Sequence, residues 1–411
     1  MSSVKTLNPD HLSAIDPAVD LAKGNAMSIA ILAVAAFVIV TTEFLIVGLL
    51  PALARDLGIS VTTAGQFVTF FAVVVMLCGP FLTAWLANFE RKRLFVAILV
   101  LFAVSNGLAA VASNVWVLGI ARLLPALALP VFWGTASDTA AQIAGPENGG
   151  RAVSRVYLGI SAAMLFGIPL GTLASDAIGW RGAFALLSVL SLVVAILMYL
   201  RMPTVRASQP VRMADQTQIL KSPFFLANVA LSILVFTGMF TGYTYLAEML
   251  EKSAGIASAQ VGWWLMGFGA VGLIGNWLGG LWVDKKPLTT TAIFSLVLAA
   301  GMAATMALAG TSLWFAIALG MWGIANTALY PICQIRVMKA ASQAQALAGT
   351  INVSAANGGI ALGAVIGGLS ISAWGSGNIG YVSGVIAVMA ALAVPLVAKL
   401  APTNVGSVSG S

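Results

Sequence analysis

Charge is what this 411-residue chain has least of: 8% of its residues are Asp, Glu, Lys or Arg, where a soluble domain carries roughly 25%. Together with a 60% hydrophobic composition, that deficit excludes a water-soluble fold. Cysteine is almost missing as well. Cys78 and Cys333 both lie inside apolar runs, which fits small packing residues and not a disulfide framework. The single histidine, His11, precedes the first apolar run, and no metal-ligating constellation or nucleotide loop is visible. No long polar region interrupts the chain, which argues against a ligand-binding ectodomain or an ATP-driven pump.

What is present is a series of apolar runs. A helix needs about 20 apolar residues to cross a hydrocarbon core about 30 Å thick. Twelve such spans are predicted, at 27–50, 64–87, 93–112, 115–137, 153–175, 182–201, 223–247, 259–283, 288–309, 312–335, 346–372 and 379–400. The expectation is an all-α integral membrane protein with a tail at 1–26, a six-helix bundle at 27–202, a linker at 203–221, a second six-helix bundle at 222–400 and a tail at 401–411. The first apolar run is too long for the hydrophobic region of a signal peptide, so it reads as a retained helix.

The net charge of +7 carries its information in its placement. The N-terminal tail, the even-numbered connections and the C-terminal end hold sixteen Lys and Arg, among them Lys5, Arg91, Lys92, Arg93, Arg206, Arg212, Lys285, Lys286, Arg336 and Lys339; the other side holds Arg55, Arg181 and Lys252. The positive-inside rule then puts both termini in the cytoplasm, with no nucleic-acid partner implied.

The chain also repeats itself. A shift of 197 positions superposes Gly58, Ile59, Gly65, Phe71, Val74 and Trp85 on Gly255, Ile256, Gly262, Phe268, Val271 and Trp282. A shift of 201 places Leu118, Gly119 and Pro130 on Leu319, Gly320 and Pro331, and GIPLG at 167–171 matches GIALG at 359–363. Duplicated six-helix units joined by a linker are what a transporter with a midplane site between two halves requires.

Five segments carry a resemblance to a known family: TTEFLIVGLLPALARDLGIS (41–60), Arg122 in the fourth span, GIPLGTLASDAIGWRGAF (167–184), GNWLGGLWVDKK (275–286) and NVSAANGGIALGAVIGG (352–368). Their order resembles the major facilitator superfamily, and within it the twelve-helix drug:proton antiporter group that includes bacterial exporters of sugars, purines and chloramphenicol. The resemblance implies two pseudo-symmetric six-helix bundles, a proton gradient in place of any cofactor, a small-molecule substrate, and a place in the bacterial cytoplasmic membrane; the oligomeric state is not readable from the sequence, and a monomer is the default expectation. It also implies a loop motif, G-x-x-x-D-R-x-G-R-K, that latches the cytoplasmic gate. Here the stretch reads TAWLANFERK, with Thr83 and Ala87 in place of the glycine and aspartate, which puts that latch in doubt; its repeat partner keeps Gly280 and Asp284. For Arg91, Lys92 and Arg93, a solvated basic cluster is the favoured reading.

Charges within spans cost at least about 2.5–3.5 kcal/mol at mid-helix and are functional candidates by default. Glu43 lies about seven residues before the outer end of the first span and Arg122 about seven residues after the outer start of the fourth. At 1.5 Å per residue both are about 10 Å deep, so they are expected to pair, with Glu43 carrying a coupling proton and Arg122 tuning it. The alternative is a permanent structural ion pair. Asp138 is expected at a helix end or gate, and Glu248 at a solvated helix end.

Gly159, Ala163, Gly167 and Gly171 form an i+4 row in the fifth span, with Pro169 permitting a bend. Gly359, Gly363 and Gly367 repeat it in the eleventh, and the two rows are expected to form the surfaces on which the halves rock. For substrate contact the candidates are Phe236, Met239, Phe240 and Tyr243 on the seventh span, Asn326 and Tyr330 on the tenth, and Thr41, Trp133 and Asn357. Such walls, apolar with a few polar groups, suit amphipathic small molecules. The leading expectation is proton-coupled efflux; a facilitator or proton symporter in the same fold, a membrane enzyme and a non-transporting sensor are the alternatives.

Overall fold

The computed structural model describes residues 17–86, 88–145, 148–205, 217–310, 312–341 and 344–401. Ala87, both chain ends and most of the predicted linker therefore lie outside the described residues, as do His11, Lys5, Arg206 and Arg212. Among the described residues the fold is helical, with no strand. We number the helices α1 (Pro17–Leu57), α2 (Val61–Leu86), α3 (Arg91–Ala110), α4 (Val115–Ala144), α5 (Gly149–Ala162), α6 (Ile168–Arg201), α7 (Pro223–Tyr243), α8 (Leu246–Lys252), α9 (Ser258–Val283), α10 (Pro287–Ala307), α11 (Ser312–Ala340), α12 (Gln345–Trp374) and α13 (Ile379–Lys399). A π-helical turn, Ala163–Gly167, joins α5 to α6, and a 3-10 turn, Thr217–Lys221, precedes α7.

Eleven helical stretches among the described residues are long and apolar enough to cross a bilayer. One of them, Arg151–Arg201, runs for 51 residues, or about 75 Å of helix, more than twice a hydrocarbon core. It breaks at Gly179, where φ is 75° and ψ is 160°. No other residue type adopts that backbone conformation without strain, and the break turns the stretch into the fifth and sixth predicted spans. α1 starts at Pro17, ten residues before the predicted boundary.

The outward faces are apolar: Trp116 is 83% exposed and Phe81 78%. Large side chains so placed face lipid, and the protein is a multi-pass membrane protein. Inside, α1 packs on α5 and α6, α3 on α6 and α4, and α2 on α4. The same arrangement recurs with α7 on α12 and α13, α10 on α13 and α11, and α9 on α11. The two groups meet along α2 with α12, and along α9 with the π-turn and α6.

The glycine rows do something other than expected. A Cβ on Gly167 or Gly171 would strike Thr41 or Leu45 of α1, and one on Gly359, Gly363 or Gly367 would strike the α7 backbone at residues 233, 237 and 241. Both rows therefore bring a helix close to the first helix of its own group, and neither forms the surface between groups. That surface uses other glycines: Gly269 lies against the Met164 carbonyl, Gly262 against Leu173 and the Pro169 carbonyl, and Gly358 against Met76. Pro169 follows the π-turn, so the expected bend takes the form of one wide helical turn where α5 passes into α6.

Candidate functional site

The centre of the molecule is an aromatic cluster that crosses the two helix groups. The i, i+4, i+7 spacing puts Phe236, Phe240 and Tyr243 on one face of α7. Phe236 meets Tyr330 of α11 edge-on at 5.2 Å between centroids, Phe240 meets Phe44 of α1 at 5.9 Å, and Tyr243 stacks on Phe268 of α9 at 5.7 Å. Phe268 in turn meets Trp322 at 5.8 Å. Met239 is fully buried on α7.

Set into this apolar surround are buried polar atoms without a hydrogen-bond partner among the described residues: Thr41 Oγ1, Asn326 Oδ1, Tyr330 Oη, Asn357 Oδ1, Arg122 Nε and Trp322 Nε1. Buried polar groups are nearly always satisfied in a finished core. Unsatisfied ones from α1, α4, α11 and α12 near the same aromatic cluster are what a site awaiting water or a polar ligand presents. Glu43, Arg122, Phe71, Asn357 and Ile360 line a narrow cleft there of about 10 Å³, room for about one water molecule.

The expected direct pairing of Glu43 with Arg122 is not what holds the guanidinium. Arg122 is 2% exposed; its Nη1 donates to the Thr42 carbonyl at 2.5 Å and its Nη2 to the Glu43 carbonyl at 2.8 Å. Its carbon lies 4.8 Å from the centre of the Phe71 ring, a cation–π contact. The guanidinium thus meets α1 through the backbone, and no ion pair or hydrogen bond of the Glu43 carboxylate occurs among the described residues. The carboxylate lines the same cleft as Arg122.

Other candidates fall elsewhere. Trp133 touches Phe132 and Tyr157, at 5.2 and 5.6 Å, on the α4–α5 side, and packs at the edge of the core that holds the aromatic cluster. Glu248 is 8% exposed, so it is no solvated helix end: the short helix α8 that carries it packs against α1 and α9. Arg91 is 4% exposed and lies 3.7 Å from Asp138, which replaces the expectation of a solvated basic cluster at that position. Thr83, where the family motif has glycine, packs on Gly134.

Asp138 thus completes a contact that the altered motif had put in doubt. In the second group Lys339 Nζ sits 2.9 Å from Asp284 Oδ1 and donates to the Asp284 carbonyl at 2.6 Å. Asp138 and Lys339 occupy equivalent positions under the 201-residue shift. In the first group the start of α3 supplies the cation and α4 the anion; in the second the residue after α9 supplies the anion and α11 the cation.

Two groups that sequence reasoning missed are Trp322 and Arg336, exposed by 0% and 1%. Trp322 is one apolar residue among many in its span. Arg336 was counted as a cytoplasmic-side charge because it lies near the end of the tenth span; only packing shows that it points inward.

Residues 32–355 and 246–410 match the family model described as Major Facilitator Superfamily. The chain is 32% identical over 375 residues to the Inner membrane transport protein YdhP of Escherichia coli (strain K12), covering 91% of this chain and 96% of that one. It is 30% identical over 365 residues to a Probable sugar efflux transporter of Helicobacter pylori (strain ATCC 700392 / 26695), covering 89% and 93%. It is 31% identical over 358 residues to the Chloramphenicol efflux pump Rv0191 of Mycobacterium tuberculosis (strain ATCC 25618 / H37Rv), covering 84% and 86%. Among solved structures, a bacterial homolog of the human lysosomal transporter Spinster, inward-facing and unoccupied, superposes with a TM-score of 0.74 at 14% identity over 92% of this chain and 97% of that one. A D-xylose-proton symporter does so with a TM-score of 0.74 at 17% identity, over 90% and 96%. At such identities the likeness of the two structures bears on the fold alone.

Proposed function

The chain belongs to the major facilitator superfamily, and we propose that it exports small organic molecules across the bacterial cytoplasmic membrane in exchange for protons, by alternating access. It is a membrane transporter and not an enzyme. The observation that carries the reading is the Glu43 carboxylate: it lines a small cleft with Arg122, Asn357 and apolar side chains, and among the described residues no side chain forms an ion pair with it.

A carboxylate's proton affinity depends on its hydration and on the distance to a neighbouring cation. Both change when the cavity opens to one side and then the other. Glu43 takes a proton when open to the side of higher proton concentration and releases it on the other, and Arg122, anchored to the α1 backbone, keeps its place through the cycle. Substrate lies against Phe236, Phe240, Tyr243 and Tyr330, and its polar groups meet Thr41, Asn326 and Asn357. The relatives named for sugar and chloramphenicol efflux support export of neutral or amphipathic molecules, with drugs, sugars and nucleoside-like compounds as the classes to screen.

Residues 27–202 and 222–400 act as the two rocking bundles, 203–221 as the linker between them, and 1–26 and 401–411 as cytoplasmic tails. The positive-inside tally supports that orientation, and a monomer suffices for the cycle. In proteoliposomes with an imposed pH gradient, substrate should move against the proton flow. Accumulation in the direction of the proton flow would instead show symport.

A further inference from the structure

The mechanism above leaves several buried charges unused, and Arg336 is the most deeply buried of them. Arg336 of α11 is 1% exposed; its Nη2 donates to the Asn228 carbonyl at 3.1 Å and to Ser232 Oγ at 2.8 Å, both on α7. Among the described residues its Nε and Nη1 have no hydrogen-bond partner, and neither does the neighbouring Asn228 Oδ1. Among the described residues no carboxylate pairs with it, and the titratable group it faces is the Cys333 thiol.

Packing alone gives no reason for this cation. Under the 201-residue shift its counterpart is Thr135, a buried neutral residue whose hydroxyl bonds the Val131 carbonyl of its own helix. The first group therefore closes the same α4 position without a charge. Arg122 is not its image either: the counterpart of Arg122 is Gly323, 13 residues and about 20 Å of helix from Arg336.

Its position follows from α7. Asn228, Ser232, Phe236, Phe240 and Tyr243 succeed one another at helical spacing along one face, and the upper members of that row form the central aromatic cluster. The guanidinium lies on the row one turn from Phe236, towards the end where α7 begins. It offers free, planar N–H donors, the geometry that binds carboxylate or phosphate oxygens.

We infer that Arg336 is an anion-recognising subsite at the inner end of the transport path, and that substrates carrying a carboxylate, phosphate or sulfonate group are held there before they reach the aromatic cluster. The inference rests on the exporter reading for its place in the cycle but concerns a separate residue and ligand group.

The test uses purified full-length protein and matched probes: benzoate and benzenesulfonate as anions, benzamide and benzyl alcohol as neutral counterparts. Ligand-induced thermal shifts and dissociation constants are compared in the wild type, Arg336→Gln, Arg336→Lys and Glu43→Gln. The anions should stabilise the wild type more than the neutral probes. Their dissociation constants should rise about tenfold or more in Arg336→Gln, as loss of a charge-assisted bond requires, and less in Arg336→Lys, while neutral probes are unaffected. Should Arg336→Gln fail to fold, Arg336→Lys and Ser232→Ala give the same reading. Equal binding of anions and neutral probes, or anion binding untouched by these substitutions, overturns the inference. Glu43→Gln separates the two claims: it should keep the anion preference, so loss of proton coupling with no anion preference in any variant sinks the subsite alone. An anion preference that depends on Arg336, alongside normal coupling in Glu43→Gln, sinks the proton reading alone.

Discussion

Arg55 Nη1, at the end of α1, lies 2.7 Å from Glu251 Oε2 on α8, and the pair ties the first helix group to the second at the end where α1 and α7 finish. On the proposed orientation that end is periplasmic, so the bond holds the outer side shut. Arg55 is 56% exposed at its side chain and Glu251 11%; a pair this open to solvent contributes at most about 1 kcal/mol. That is small for folding but enough to shift a two-state equilibrium several-fold. Glu251→Lys should open the outer side, read as faster labelling of a cysteine introduced at the aromatic cluster of a cysteine-free variant. Adding Arg55→Glu should restore the slow rate.

The close approach of the fifth span to the first gives a second prediction. A Cβ on Gly167 would overlap Thr41 Oγ1, so Gly167→Ala should destabilise by about 1–3 kcal/mol, the usual range for overpacking. Thr41→Ala should recover part of the loss. The check is a double-substitution cycle on thermal unfolding, with a coupling that an inter-bundle role for Gly167 would not produce.

The two contacts of opposite polarity make a third. Asp284→Lys should impair transport by setting two cations together, and Asp284→Lys with Lys339→Asp should recover it. In the other group Arg91→Glu with Asp138→Arg should recover less, because Arg91 is buried and has Nε and Nη1 without partners, whereas Lys339 and Asp284 are 39% and 70% exposed at their side chains. Uptake or efflux in cells of equal expression is the readout.

The hydroxyl of Tyr330 is buried and has no hydrogen-bond partner among the described residues. Removing a polar atom that makes no bond costs nothing in stability and relieves a desolvation penalty. Tyr330→Phe should therefore unfold at the same temperature or higher while binding polar substrates several-fold more weakly. Destabilisation of the variant would show that the hydroxyl is satisfied by the fold itself.

The number of crossings, the repeat and most of the central residues were legible in the sequence, because lipid imposes length and apolarity on each span and helical spacing fixes which residues share a face. Even the break at Gly179 follows from span length. Partners were less legible. Glu43 and Arg122 are at equal depth, as expected, but depth along an axis does not say whether a guanidinium reaches a carboxylate or the carbonyls beside it. The glycine rows were readable as close-approach surfaces, though not which helix approaches. Arg336 and Arg91 were misread for one reason: a basic residue near a span end is counted as facing water, and only the packing of α7 against α11, and of α3 against α4, shows that these two point inward.

The central claim is that Glu43 carries the coupling proton. Its most direct measurement is substrate transport in proteoliposomes holding wild-type or Glu43→Gln protein, with and without an imposed pH gradient. Glutamine keeps the size and the hydrogen-bonding capacity but cannot exchange a proton. The account predicts a folded Glu43→Gln variant that binds substrate and equilibrates it down its gradient, yet no longer accumulates it in response to the pH gradient. A Glu43→Gln variant that responds to the gradient like the wild type would contradict it.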